Sequence, residues 1–83
     1  MIKKEEYSAL YYINYGNNSI ERLQGLFDNK KEVVIKLLKS LEEKKLIKIE
    51  MRQNEIYSFM ETDKGLDLLK SKEYAEWYIE LGD

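Results

Sequence analysis

The chain has 83 residues, of which 43% are hydrophobic and 36% are charged, and its formal charge at pH 7 is −2. This length allows one modest core, and the apolar content is too high for a disordered chain. The absence of cysteine and histidine excludes disulfides, thiolate catalysis, a Ser-His-Asp triad and most zinc sites. The carboxylates form no pattern backed by a second motif, so Glu5 and Glu6 are expected to be solvated. We therefore predict a single domain over residues 1–83 that is not an enzyme and needs no cofactor or metal.

Charge is distributed unevenly along the chain. Residues 30–45 carry six lysines and three glutamates, for a net charge of +3, whereas residues 46–83 carry five basic and nine acidic residues, for −4. No apolar run approaches the roughly 20 residues of a membrane-spanning helix. Residues 1–6 are followed by no apolar stretch of the kind that a signal peptide contains. We therefore expect a cytoplasmic protein with no membrane partner.

The first two predicted elements are helices over residues 3–15 and 19–27. The segment 16–18, Gly-Asn-Asn, ends the first helix because these residues tolerate left-handed backbone angles. Asn18 or Ser19 is a suitable N-cap for the second helix. Both helices have apolar residues at the spacing of a buried face, namely Tyr7, Leu10 and Tyr11 in the first and Ile20, Leu23 and Phe27 in the second.

A third helix is predicted over residues 30–45. Asn29 is placed to cap it, with Glu32 completing a capping box. Its core face consists of Val34, Leu38 and Leu41. The opposite face carries polar side chains, namely Glu32, Lys36, Lys39 and Glu43.

The hydrophobic period then changes from about 3.6 to 2, which predicts a β-hairpin over residues 46–60 with its turn at 52–55. One or two helices follow over residues 62–81, with Thr62 as N-cap and a break near Ser71. This order of elements predicts a mainly α protein with a small β-hairpin, in the α+β class. One face of the first strand is expected to carry Ile47, Ile49 and Met51.

Two stretches resemble winged-helix regulators of the MarR-like and PadR-like families. Residues 38–47 are similar to their L-x-x-L-E-x-x-G-L-I stretch, and residues 62–69 to the L-T-x-K-G-x-x-L-L segment that follows the wing. The resemblance covers roughly residues 5–70. It implies a winged helix-turn-helix fold with N-terminal and C-terminal helices, in a dimeric regulator that binds double-stranded DNA sequence-specifically. Two positions depart from the pattern, since Lys45 replaces the usual glycine and Glu61 replaces a leucine.

In a winged helix the third helix enters the major groove and the hairpin reaches the neighbouring backbone or minor groove. Lysines on the third helix are expected to contact phosphates. The alternative for the helix is a solvated face, in which Glu32–Lys36 and Lys39–Glu43 form i, i+4 pairs. The alternative for the wing turn is an ordinary polar hairpin tip. The predicted DNA contacts are Asn29, Lys30, Lys31, Lys36, Lys39 and Ser40 on the third helix and Arg52, Gln53 and Asn54 in the wing.

The signal for base recognition is weak, because the third helix contains no arginine. Val33 and Ile35 flank its exposed face. We expect both to be buried against the preceding helix, and the alternatives are contact with a thymine methyl group or a protein-binding surface. The leading hypothesis is a transcriptional regulator, a repressor, that binds a short palindromic site. The second is a winged-helix protein-interaction module or accessory factor without DNA binding. The sequence does not indicate a small-molecule effector.

Seven of the ten aromatic residues lie near the two ends of the chain. Tyrosine and tryptophan are favoured in protein interfaces, which predicts a homodimer built from the terminal helices. The alternative is that these helices pack on each other within one chain. The predicted interface consists of Tyr7, Tyr11, Tyr12, Tyr74, Trp77, Tyr78 and Leu81.

Overall fold

Five helices and one β-hairpin follow one another along residues 2–82, the part of the chain that the computed structural model describes. Their order is the predicted one, and the break near Ser71 is confirmed. No helix within this range is both long and apolar enough to cross a bilayer. The elements are α1 (Lys4–Asn14), α2 (Ile20–Phe27), α3 (Lys31–Glu43), β1 (Ile47–Arg52), β2 (Glu55–Glu61), α4 (Asp63–Leu69), a 3-10 turn (Lys72–Tyr74) and α5 (Ala75–Gly82).

The starts of α2 and α3 are set in different ways. Ser19 caps α2, because its hydroxyl oxygen accepts a hydrogen bond from the backbone N–H of Arg22. The predicted Asn29 cap of α3 is wrong. Lys30 is the N-cap residue, and the side-chain oxygen of Asn29 accepts only from the N–H of Lys30. Asn29 therefore lies one position too early to reach the free N–H groups of the first turn.

Helix α1 is the centre of the core. It contacts α3, α4, α5 and β2, and residues 6–11 are all buried. A surface helix would bury only one stripe of side chains, so α1 is enclosed by its neighbours. The largest fully buried apolar side chains are Tyr7, Leu10, Leu23, Val34, Leu38, Leu41, Leu46 and Ile47.

Thr62 and Gly65 join α4 to the base of the hairpin. The Thr62 hydroxyl accepts from the N–H of Gly65, at 3.1 Å, and donates to the carbonyl oxygen of Lys45, at 2.7 Å. Gly65 approaches so closely that an added Cβ would lie 2.2 Å from the carbonyl oxygen of Leu46. Thr62 and Gly65 are therefore needed for the close packing of α4 against the base of the hairpin. Thr62 is confirmed as the N-cap of α4.

The hairpin is antiparallel, and Ile49 of β1 lies opposite Phe59 of β2. Gln53 and Asn54 both have positive φ, +52° and +64°, as a type I′ turn requires. A bulge leaves Tyr57 without a partner in β1. Met51 shares the face of Ile47 and Ile49 but is 50% exposed, because that face leaves the core towards the turn. Together, α2, α3 and this wing form the predicted winged helix-turn-helix arrangement.

Lys45 has a φ of +63°, the left-handed conformation that favours glycine, at the position where the resembled pattern has glycine. A side chain in this conformation costs on the order of 1 kcal/mol. We predict that Lys45→Gly raises the free energy of unfolding by roughly 0.5–1 kcal/mol, measured by urea denaturation. Lys70→Gly is the control, since Lys70 is also an exposed lysine at the C-terminal end of a helix but has a φ of −91°. It is expected to lower stability, and equal effects of the two variants would contradict the explanation.

Candidate nucleic-acid interface

The exposed side of α3 carries four lysines that form no ion pair with any residue from 2 to 82. Lys30, Lys31, Lys36 and Lys39 are all exposed. The ion pairs between described residues involve other cations, so neither of the predicted i, i+4 pairs forms on this helix. The four ammonium groups are therefore free to meet an external anion.

A groove of about 500 Å³ separates α3 from the wing. Lys31 and Lys39 line it from α3, and Asn54 lines it from the wing turn. Half-buried Ile35 contributes apolar surface between the two lysines, so its predicted burial is only partial. Glu21 and Glu55 also line the groove, so its two lysines are matched by two glutamates and the lining is mixed in charge. The tertiary structure thus brings three of the predicted DNA contacts to one concave surface.

Two other predicted contacts lie on the opposite side of α3. Asn29 and Lys36 line a second cavity, of about 300 Å³, together with Phe27 and Leu37. Val33 lines the same cavity and is 43% exposed, so its predicted burial is wrong. The reason is that Val33 points away from the core face of α3 and no described element covers it.

Arg52 is held against the surface of the wing. Its Nε donates to a carboxylate oxygen of Glu50, at 2.9 Å, and its guanidinium carbon lies 3.7 Å from the centre of the Tyr57 ring. Guanidinium groups have five N–H donors, so donors remain for another acceptor. Gln53 and Asn54 are exposed at the turn beside it. The wing therefore presents a fixed cation and two free amides.

The hydroxyl of Ser40 is bonded within the protein, whereas the DNA prediction requires a free hydroxyl on the surface. It is half-buried, and its hydroxyl donates to a carboxylate oxygen of Glu6. A hydroxyl used in this way has no proton left to donate to a base edge. Ser40 instead helps to fix the orientation of α3 against α1.

Glu6 is buried, which makes its predicted solvation wrong. Its side chain is 3% exposed, because the first turn of α1 lies against the last turn of α3. Lys44 Nζ lies 2.7 Å from both carboxylate oxygens, and the backbone N–H of Lys3 donates at 2.8 Å. Burial alone raises the pKa of Glu6, but the hydrogen bonds from Lys44, Ser40 and Lys3 outweigh it, and the net pKa is lowered. Glu6 therefore stays ionised and ties the two helices together.

Three of the six aromatic residues predicted for a dimer interface are enclosed within the chain. Tyr7, Tyr11 and Tyr74 are buried, and the Tyr7 hydroxyl donates to the carbonyl oxygen of Leu69. A second copy cannot reach these rings, so including them was wrong. The physical reason is that α1 and the C-terminal segment pack on each other, with the Tyr7 and Trp77 rings 5.6 Å apart.

The remaining predicted interface residues lie nearer the surface. Tyr12 is half-buried against Phe27 of α2, and Trp77 and Leu81 are half-buried against the core. Tyr78 is exposed, and its hydroxyl lies 3.2 Å from that of Tyr15. Beside it, Ile79 is 65% exposed, a position that the sequence analysis missed. An apolar residue at the end of a buried-face pattern gives no signal that it is uncovered.

No family model, curated protein or solved structure matches the chain. Among residues 2–82, no group of three or more acidic side chains is arranged to hold a metal ion. The class of the protein is therefore defined by its own architecture over residues 2–82, a winged helix-turn-helix arrangement in which α1 precedes α2 and α3, and α4 and α5 follow the wing.

The buried carboxylate gives a prediction for stability and its pH dependence. Glu6→Gln leaves Lys44 without a counter-charge, so we expect the free energy of unfolding to fall by about 2–3 kcal/mol at pH 7. Because the pKa of Glu6 is lowered by folding, its stabilisation is complete above its ordinary value of 4.5 and is lost as the pH falls through the folded-state value. In urea denaturation, acidification from neutral to strongly acidic pH should therefore cost the wild type more stability than it costs Glu6→Gln.

Glu5→Gln is the matched control, because Glu5 is the exposed neighbour on the same turn of α1. It should change stability by less than about 0.5 kcal/mol. Equal losses in the two variants would show that the buried network does not stabilise the fold.

Proposed function

We propose that this protein is a cytoplasmic regulator of transcription that binds double-stranded DNA as a homodimer. The observation that carries the proposal is the placement of Lys31 and Lys39, exposed and without an ion pair to any described residue, on a groove wall opposite Asn54 of the wing. The proposal has no catalytic step, and it needs no cofactor.

The charge distribution supports this proposal despite the acidic total. Phosphate contacts dominate the affinity of proteins for DNA, and each neutralised phosphate releases counterions. The lysines of α3 lie away from its core face, whereas the acidic residues are concentrated after residue 46. A duplex that meets α3 then lies against the positive segment, and Glu21 and Glu55 are the carboxylates that line the same groove.

The available side chains define how DNA is recognised under this proposal. Lysine can donate to the acceptors of guanine, and amide side chains such as Gln53 and Asn54 can pair with adenine. Lys31 and Lys39 line the groove beside the wing and are the lysines best placed to approach a duplex there, whereas Lys36 lies on the other side of α3. Arg52, fixed on Tyr57, serves a phosphate or the minor groove. Ser40 has no part in recognition because it is bound to Glu6.

The test is duplex binding by the double variant Lys31→Ala/Lys39→Ala, measured by fluorescence anisotropy at several salt concentrations. Two lost phosphate contacts should reduce the slope of log affinity against log salt by about 1.8. Affinity at low salt should fall about equally for all duplex sequences, because phosphate contacts carry no sequence information.

The control is Lys70→Ala/Lys72→Ala, which removes two exposed lysines from the C-terminal part of the chain. It lowers the net charge equally and should leave the salt slope unchanged. If the wild type retarded no duplex from a random pool at about 50 mM salt, where such contacts are strong, the DNA proposal would be rejected.

A protein-interaction module is the second candidate, and exposed Val33 favours it. Val33 lies beside Phe27 and Leu37 in the apolar cavity on the side of α3 away from the wing. On this hypothesis Val33→Thr, which keeps the shape and adds a hydroxyl, should weaken partner binding without affecting stability. Under the DNA proposal the same variant should bind duplex like the wild type.

A further inference from the structure

The outer edge of β1 has no partner. The sheet consists of β1 and β2 alone, and in the described part of the chain no backbone N–H or carbonyl of residues 47–52 bonds outside the hairpin. The bulge is in β2, at Tyr57, so β1 remains regular along its length. An unpaired, regular edge is a template for another strand.

The sequence of β1 is complementary to itself in the antiparallel direction. When two copies of β1 are paired about a two-fold axis at Ile49, each Lys48 lies opposite Glu50 of the other copy. In the same register, Ile47 lies opposite Met51 on the other face. One face of the joined strands is therefore apolar, and the other holds two opposite-charge pairs. A shift by one residue would remove both matches.

The exposure of these side chains agrees with such a contact. Lys48 is exposed and forms no ion pair with any residue from 2 to 82. Met51 is half-exposed although it lies on the apolar face. Glu50 is bound to Arg52, but a carboxylate has lone pairs for a further donor.

The groove that carries Lys31 and Lys39 is lined by β2 and by no residue of β1. A second copy seated on β1 therefore leaves that groove open. The competing surface, formed by Tyr78 and Ile79 on α5, is apolar but has no comparable matching of charges. Electrostatic matching of this kind selects one register and one partner.

We propose that β1 pairs with β1 of a second copy, so that the two wings form one continuous four-stranded antiparallel sheet. The proposed function includes a homodimer, and this inference names the contact between its two copies. It rests on the proposed function only in that both require two copies of the chain. The terminal aromatic residues then serve the core of each chain.

A charge swap between copies tests the pairing by sedimentation of the full chain without DNA. Lys48→Glu places acid against acid where position 48 of one copy meets position 50 of the other, and Glu50→Lys places base against base there. Each variant alone should dimerise at least about tenfold more weakly than the wild type, since two attractive pairs become repulsive. An equimolar mixture should recover a dimer, because the two variants complement each other.

Lys64→Glu is the matched control, since it makes the same charge change at an exposed position of α4 and should dimerise like the wild type. Ile79→Glu tests the α5 surface and should also have no effect. The pairing is overturned if the wild type stays monomeric, if the single variants dimerise normally, or if their mixture shows no recovery. Recovery in the mixture also shows that both variants are folded.

The outcome is separable from that of the DNA proposal. Sedimentation without DNA reports the β1 contact alone, and duplex binding reports the α3 lysines. A chain that dimerises through β1 but binds no duplex contradicts only the proposed function. A chain that binds duplex but whose dimer is insensitive to these swaps contradicts only the β1 contact.

Discussion

The buried carboxylate of Glu6 fixes the part of the molecule on which the rest depends. It joins the first turn of α1 to the last turn of α3 through Lys44 and Ser40. Directly after Lys44, the chain turns through the left-handed Lys45 into the wing, and Thr62 bonds back to this corner. Two neighbouring sets of polar contacts therefore act at this corner: the Glu6 network joins α1 to α3, and Thr62 joins α4 to the start of the wing. A buried charge of this kind holds geometry, because any departure leaves it unpaired.

The exposed surface follows from that framework. With α1 enclosed and one face of α3 packed against it, the lysines of α3 have only solvent to face. Their number is small and their total charge is partly offset by neighbouring glutamates. Their position beside the wing therefore matters more than the net charge of the chain. This explains how an acidic protein can present a local surface suited to a polyanion.

The aromatic residues show how an interface can be inferred too readily from composition. A small domain gains much of its stability from a few large side chains. Here Tyr7, Tyr74 and Trp77 form a cluster within one chain. This cluster packs α1 against the C-terminal segment. The outer edge of β1 is then the surface proposed for association, because its backbone groups and its alternating charges are uncovered.

The order and type of the elements could be predicted before the structure was known, because hydrophobic periods of 3.6 and 2 and the Thr62 cap are local properties. The placement of the exposed lysines of the third helix away from its core face could be predicted too, since that requires only helical geometry. Three features could not be predicted in this way: Glu6 is buried, Val33 is exposed, and the aromatic rings near the two ends of the chain pack against each other. These outcomes depend on which distant segment covers each face, and spacing along one segment carries no information about its neighbours in space.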